Sequence, residues 1–186
     1  MAVVFLSSSF IELREYRDAA FQAIEGLGHQ CILMERFPAA DQQIRDFCAD
    51  KIGACDVVVL IIGQLYGTLI PNRDISFSEN EFDIAMALKK PILVFFPESN
   101  RVVTNVAAAL EGSQISNVPE DRWRRGAFLR KVLQGRLGRS YNSPEDLKFC
   151  VSQSVHDYSS RPIATPSVAK YSGKMRVRVF LCHSCN

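Results

Sequence analysis

Three acids, Glu79, Glu81 and Asp83, crowd the front of an apolar helical pattern in SFSENEFDIAMALKKPILVFF, Ser76 to Phe96. Acids at such a place have two readings. One is ordinary: the helix dipole favours negative charge in the first turn, with Ser78 as the capping residue. The other is chemical: a carboxylate at the border of an apolar face is partly withdrawn from water and can act on a substrate. Glu81 is the candidate. Phe82, Ala85, Met86 and Leu88 take the core side, so Glu81 falls at the border, and Glu79 and Asp83 turn to solvent.

Other residue types suit binding. Ser7, Ser8 and Ser9 follow a short apolar run and can cap the helix that begins near Phe10. Their hydroxyls and the helix amides could instead hold a ribose or a phosphate. Tyr66 and Gly67 follow the strongest apolar run. They read either as a turn with a packed aromatic, or as a ring that stacks on a base beside a glycine that allows close approach. No Gly-x-Gly-x-x-Gly and no Walker lysine supports a standard nucleotide cradle. His29, His156 and His183 lie far apart and none adjoins a nucleophile, so a Ser-His-Asp or Cys-His site has no support.

Positioning these residues needs a scaffold, and the chain spells one out. Apolar runs at Val3–Leu6, Gln30–Glu35, Cys55–Gly63 and Ile92–Phe96 read as strands, with a short fifth at Arg139–Tyr141. Helical spacing separates them: Phe10 to Leu27, Asp41 to about Ile52, Ser78 to Lys89, Val102 to Leu110, Arg122 to Leu137, and a last helix from Ser143 to about Tyr158. CDVVVLIIG is apolar at consecutive positions, which means burial on both faces at the centre of a parallel sheet. Strands alternating with helices imply an α/β, flavodoxin-like doubly wound sheet of about five strands, order 2-1-3-4-5. Ligands in such folds bind outside the carboxyl ends of the strands, near the switch in strand order. The rim residues there are Ser7, Ser8, Ser9, Phe10, Phe37, Gly63, Tyr66, Gly67 and Ser78, with Glu81 behind them.

Composition bounds the function. The net charge of +2 in 186 residues argues against nucleic acid and anionic membrane surfaces as partners. No apolar run approaches the roughly 20 residues of a membrane span. MAVVFLSSSF lacks the features of a signal peptide. Four of the six cysteines sit among apolar neighbours, as reduced thiols do in a cytoplasmic protein. CHSC at Cys182–Cys185 has no second pair to complete a zinc site, so no metal is expected. RWRRGAFLRK reads as a solvated basic helix face, or as a partner-binding one. SSRPIATPSVAKYSGK, residues 159–174, reads as a linker after a domain of residues 1–158. MRVRVFLCHSCN, residues 175–186, reads as the first strand of a truncated second domain, disordered or borrowed by another chain.

Five pieces resemble, in order, domain-of-unknown-function family 4062, which has a TIR-like fold: VVFLSSSFIELREYRDAAFQAIEGLGH, MERFPAAD, CDVVVLIIGQLYGTLI, SFSENEFDIAMALKKPILVFF and SPEDLKFCV. The terminal RVFLCHSC is similar to the first strand of a TIR domain, departing at Cys185. The resemblance implies a signalling or interaction module of a larger protein, in bacterial defence or linked to an NTPase. It would self-associate or bind the other domains of that protein. EFDIAMALKKP also resembles the helix of nucleoside deoxyribosyltransferases that carries their nucleophilic glutamate, with Glu81 at that place. The Asp-x-Gly run that precedes it in those enzymes is missing. NAD-cleaving TIR enzymes are similar in placing a helix glutamate a few residues after a serine, as Ser78 and Glu81 are placed. These likenesses imply, as the alternative, cleavage of an N-glycosidic bond in NAD or a nucleotide, which would then be substrate or ligand; no other cofactor is implied.

Overall fold

A computed structural model describes residues 1–9, 12–34, 44–98 and 118–161. Its elements are β1 (Val3–Ser8), α1 (Arg14–Gly26), β2 (Gln30–Ile32), α2 (Ile44–Ala54), β3 (Val57–Ile61), α3 (Phe77–Ala87), β4 (Ile92–Pro97), α4 (Val118–Leu133), β5 (Gly138–Tyr141) and α5 (Pro144–Ser159). The strands form one parallel sheet in the order β2-β1-β3-β4-β5. This is the doubly wound α/β sheet read from the strand–helix alternation. Phe10, Phe37, the start of the predicted Asp41 helix, the predicted Val102–Leu110 helix, the bulk of the linker and the terminal strand lie outside the described residues.

The centre of the sheet follows from the apolar run. Every residue of β3 is at most 1% exposed. Its side chains alternate between two cores. Val57, Val59 and Ile61 pack with Tyr16, Ala20 and Ile24 of α1 and Leu147, Val151 and Val155 of α5. On the other face, Val58 packs with Ile52 of α2 and Ala85 of α3. Leu60 packs there with Phe82 of α3 and with Phe128 and Val132 of α4.

Strand and helix ends carry the corrections. β1 runs two residues beyond the predicted Val3–Leu6, because Ser7 and Ser8 pair with Leu60 and Ile61 of β3. The serines therefore do not cap α1. Its N-cap is Leu13, with no side-chain cap. The quoted helix is capped by Ser76, not Ser78: the Ser76 hydroxyl accepts the Glu79 N–H at 3.3 Å. Ser143 caps α5 as expected, accepting the Asp146 N–H at 3.1 Å, with Pro144 in the first turn. The predicted Arg122–Leu137 helix lies earlier, at Val118–Leu133, and Leu137 is 99% exposed. α3 ends as Lys89 takes φ +54° and Lys90 N–H reaches Ala85 O at 2.9 Å. That reversal points the chain into β4.

Val58→Asp tests the centre of the sheet. Val58 is 1% exposed among apolar neighbours. An unpaired carboxylate there costs several kcal/mol, about the stability margin of a small domain. The variant is expected to lack a cooperative thermal transition by circular dichroism. A melt close to wild type would contradict the assignment.

Candidate functional site

Glu81 is not a first-turn acid. With Ser76 as cap, the first turn holds Glu79, and Glu81 lies in the second turn. Its residue is 6% exposed. The hydroxyl of Ser7, itself 1% exposed, donates to Glu81 Oε2 at 2.5 Å. The pleat of β1 explains the contact. Phe5 packs with the α2 and α3 side, and Ser7, two residues on, faces the same way. The pair sits near the carboxyl ends of β1 and β3. These are the strands from which the order runs outward in opposite directions, so this is the switch point. The Cys48 thiol of α2 is fully buried there. Burial first, and then the Glu81 charge, push it up to about 12.

Glu79 does not turn to solvent as expected. Its Oε2 accepts the Tyr66 hydroxyl at 2.7 Å, and its Oε1 accepts Lys131 Nζ at 2.8 Å. The Tyr66 oxygen in turn accepts the Ser76 N–H at 3.2 Å. A capping box normally has the third-residue acid reach back to the cap's own N–H. Here the tyrosine hydroxyl relays that bond. Burial first, then the bond to Glu79, raise the Tyr66 pKa. Its ring is 6% exposed and meets Phe128 edge-on, with centroids 6.3 Å apart. It is a packed aromatic and not a surface offered to a base. Asp83 pairs with Lys131 at 2.7 Å and remains partly exposed.

The three serines have three different surroundings. Ser7 meets Glu81. Ser8 points to the α1 side, where its Oγ accepts Arg17 Nη1 at 2.5 Å. Ser9 donates to Glu12 Oε2 at 3.1 Å. Gly67 takes φ +92°, and a side chain there would touch Ser9. Ser78 is buried, 8% exposed, on α3. The structure thus joins Ser7 to Glu81 and brings Ser9 to Gly67, while Tyr66 serves the start of α3.

Glu12, Asp121 and Arg125 were missed by the sequence reading. Glu12 is 3% exposed. Its carboxylate accepts the N–H of Gln64 and the N–H of Leu65, the latter at 3.2 Å. Asp121 accepts the Tyr66 N–H at 3.0 Å, and burial raises its pKa. Arg125 Nε donates to Gly63 O at 2.9 Å. The Tyr141 hydroxyl donates to Ile62 O at 2.9 Å. A Cβ on Gly63 would lie 2.5–2.7 Å from the Glu12 carboxyl group, so only glycine fits. One clue was available: Asp121 and Arg125 are four apart on a helix, and therefore on one face, with Arg125 inside the run read as solvated and Asp121 just before it. Among the described residues, Asn80 Nδ2 is the buried side-chain polar atom without a hydrogen-bond partner, and no group of His, Cys, Asp and Glu could hold a metal ion. No helix among them is long and apolar enough to cross a membrane.

A five-stranded parallel sheet in this order, covered by helices on both faces, defines a TIR-like α/β domain. The chain belongs to the family described as domain of unknown function 4062, which its residues 3–156 match. It is similar to the TIR domains in the activated Roq1 resistosome directly recognizing the pathogen effector XopQ. That likeness has 16% identity over 85% of this chain and 99% of that one, with a TM-score of 0.55. A Clostridium botulinum CMP N-glycosidase, BcmB, matches with 16% identity over 84% of this chain and 98% of that one, TM-score 0.45. A Leishmania mexicana 2-desoxiribosyltransferase matches with 15% identity over 63% and 75%, TM-score 0.38. Identities this low show fold alone, and the last two TM-scores are too low to bear on it. No curated protein sequence matches the chain.

Two measurements test this geometry. Gly63→Ala is expected to cost about 1–3 kcal/mol in urea denaturation, because the Glu12 carboxyl is pinned by its donors and cannot give way. An unchanged midpoint would refute the close packing. Cys48 is expected to stay protonated and unlabelled by iodoacetamide as pH rises from neutral toward its pKa of about 12, while the half-exposed Cys31 reacts. Peptide mapping of the folded protein reads this. Rapid labelling of Cys48 at pH 9 would contradict its burial.

Proposed function

We propose that this domain binds a nucleotide-like ligand at the switch point and hydrolyses its N-glycosidic bond, with Glu81 as the acting carboxylate. The observation that carries the reading is the buried Ser7–Glu81 hydrogen bond near the carboxyl ends of β1 and β3. Cleavage breaks the bond between the anomeric carbon and the base nitrogen. The electron pair leaves with the base, and positive charge develops on the sugar. A carboxylate in a low-dielectric site attracts that charge far more strongly than one in water. The Ser7 hydroxyl fixes the carboxylate's orientation, so little reorganisation is needed as the charge grows. Water then adds to the anomeric carbon and gives up a proton, which ends on the departing base nitrogen where the base leaves as an anion and in solvent where it leaves neutral, as nicotinamide does from NAD. NAD, nucleoside monophosphates and nucleosides all present this bond.

A second reading is an interaction module that binds without turnover, within a larger signalling or defence protein. Trp123 favours it: the side chain is 69% exposed on α4, on the same helix as the exposed Arg122 and Arg130. Large exposed aromatics flanked by arginines are the residue types of protein contacts.

Incubation of wild type and Glu81→Gln with NAD, AMP, CMP and adenosine, followed by chromatography of the released base, tests the enzyme. Wild type is expected to release base from at least one. Glu81→Gln is expected to lose at least about a hundred-fold in rate and to keep a thermal midpoint within a few degrees of wild type. Unchanged activity in Glu81→Gln would remove Glu81 from the chemistry. Wild type without activity on any of the four would leave the interaction module.

A further inference from the structure

The two adjacent arginines of α4 are held in different ways. Arg124 is committed: its Nη1 pairs with Asp74 at 2.5 Å and its Nη2 with Glu120 at 2.7 Å. Arg125 is not. It is half-buried, and burial lowers its pKa below the usual arginine value. A guanidinium drawn out of water ordinarily gains a carboxylate or a full set of hydrogen bonds. Arg125 makes one, from Nε to Gly63 O. Both Nη groups lack a hydrogen bond among the described residues. The acid that acts on it through space, Glu12, accepts the Gln64 N–H, the Leu65 N–H and the Ser9 hydroxyl.

Its position matters as much as its unused donors. Gly63 follows β3, the central strand of the sheet, so its carbonyl marks the carboxyl end at the switch point. α4 is also tied there by Asp121 on Tyr66 N–H. A planar fork of N–H donors, partly desolvated at the ligand-binding edge of a parallel sheet, matches the oxygens of a phosphate.

We propose that the Arg125 guanidinium recognises the phosphate of the ligand, so that the site takes phosphorylated nucleotides in preference to free nucleosides. This rests on the nucleotide reading above and narrows its substrate class. The opposing charge is Glu12. Its donors, the Gln64 N–H, the Leu65 N–H and the Ser9 hydroxyl among them, disperse that charge.

The test is equilibrium binding by the full chain, because binding is read whether or not a bond is cleaved. AMP, adenosine and inorganic phosphate are titrated into Glu81→Gln, which prevents turnover, and into wild type in the cold. AMP is expected to bind at least about ten-fold more tightly than adenosine. Inorganic phosphate is expected to compete with AMP. Arg125→Gln is expected to erase the gap between AMP and adenosine and the competition by phosphate. A purely structural staple would instead lower the melting temperature and leave the AMP–adenosine ratio as it was. If Arg125→Gln does not fold, Arg125→Lys keeps the charge without the fork and should lose part of the gap. Equal binding of AMP and adenosine by wild type, a gap that survives in Arg125→Gln, or no binding of AMP at all overturns the proposal. AMP bound with the expected gap, while wild type cleaves none of NAD, AMP, CMP and adenosine, would sink the catalytic reading and leave this one standing.

Discussion

The backbone leaving β3 keeps one bond to the sheet, from Ile62 N–H to Phe95 O at 2.8 Å, and then runs beyond its neighbours, yet it stays largely buried. Gly63 and the residues on either side need partners for their amides and carbonyls, since an unpaired buried peptide group costs as much as a lost hydrogen bond or more. Glu12, Asp121, Arg125 and Tyr141 supply those partners from three separate parts of the chain. This satisfaction fixes the path of the loop, and the loop fixes Tyr66. The Tyr66 hydroxyl sets the start of α3 through Ser76 and Glu79. The register of α3 then decides that Glu81, and not its acidic neighbours, meets Ser7. The candidate carboxylate is thus placed by a relay that begins at the end of the central strand.

The apolar part of this arrangement was legible. CDVVVLIIG announces a strand buried on both faces, and the spacing between elements gives a parallel sheet. The polar part was not. Periodicity reports which faces avoid water, and it treats every charged residue as one that seeks it. Glu12 and Arg17 look like the wet side of an amphipathic helix, yet both are under a tenth exposed. Several of their hydrogen bonds involve Gln64, Leu65 and Ser8, partners distant along the chain or on another element, which no local window can see. The serine run misled for a related reason. A serine at the end of a strand and a serine capping a helix have the same sequence, and pairing with β3 decided between them.

Alternation along β1 also divides the rim. Ser7 faces α3 and the acid, and Ser8 faces α1 and the arginine. Consecutive hydroxyls therefore report to opposite layers of the domain. The Glu79–Lys131–Asp83 pairs, at the surface of α3 and α4, add little energy because solvent screens them. They lie beside the anchored face and reinforce a register already set.

The fit of Gly63 against Glu12 has a consequence for how such a chain can change over generations. The glutamate carboxyl occupies the space that a methyl group at residue 63 would need. A lineage that replaces the glycine first meets a clash. One that shortens the glutamate first loses bonds to the loop, but opens room for a side chain. The order of the two changes is therefore not free, and the passage between the two forms runs through a weakened intermediate whichever residue goes first.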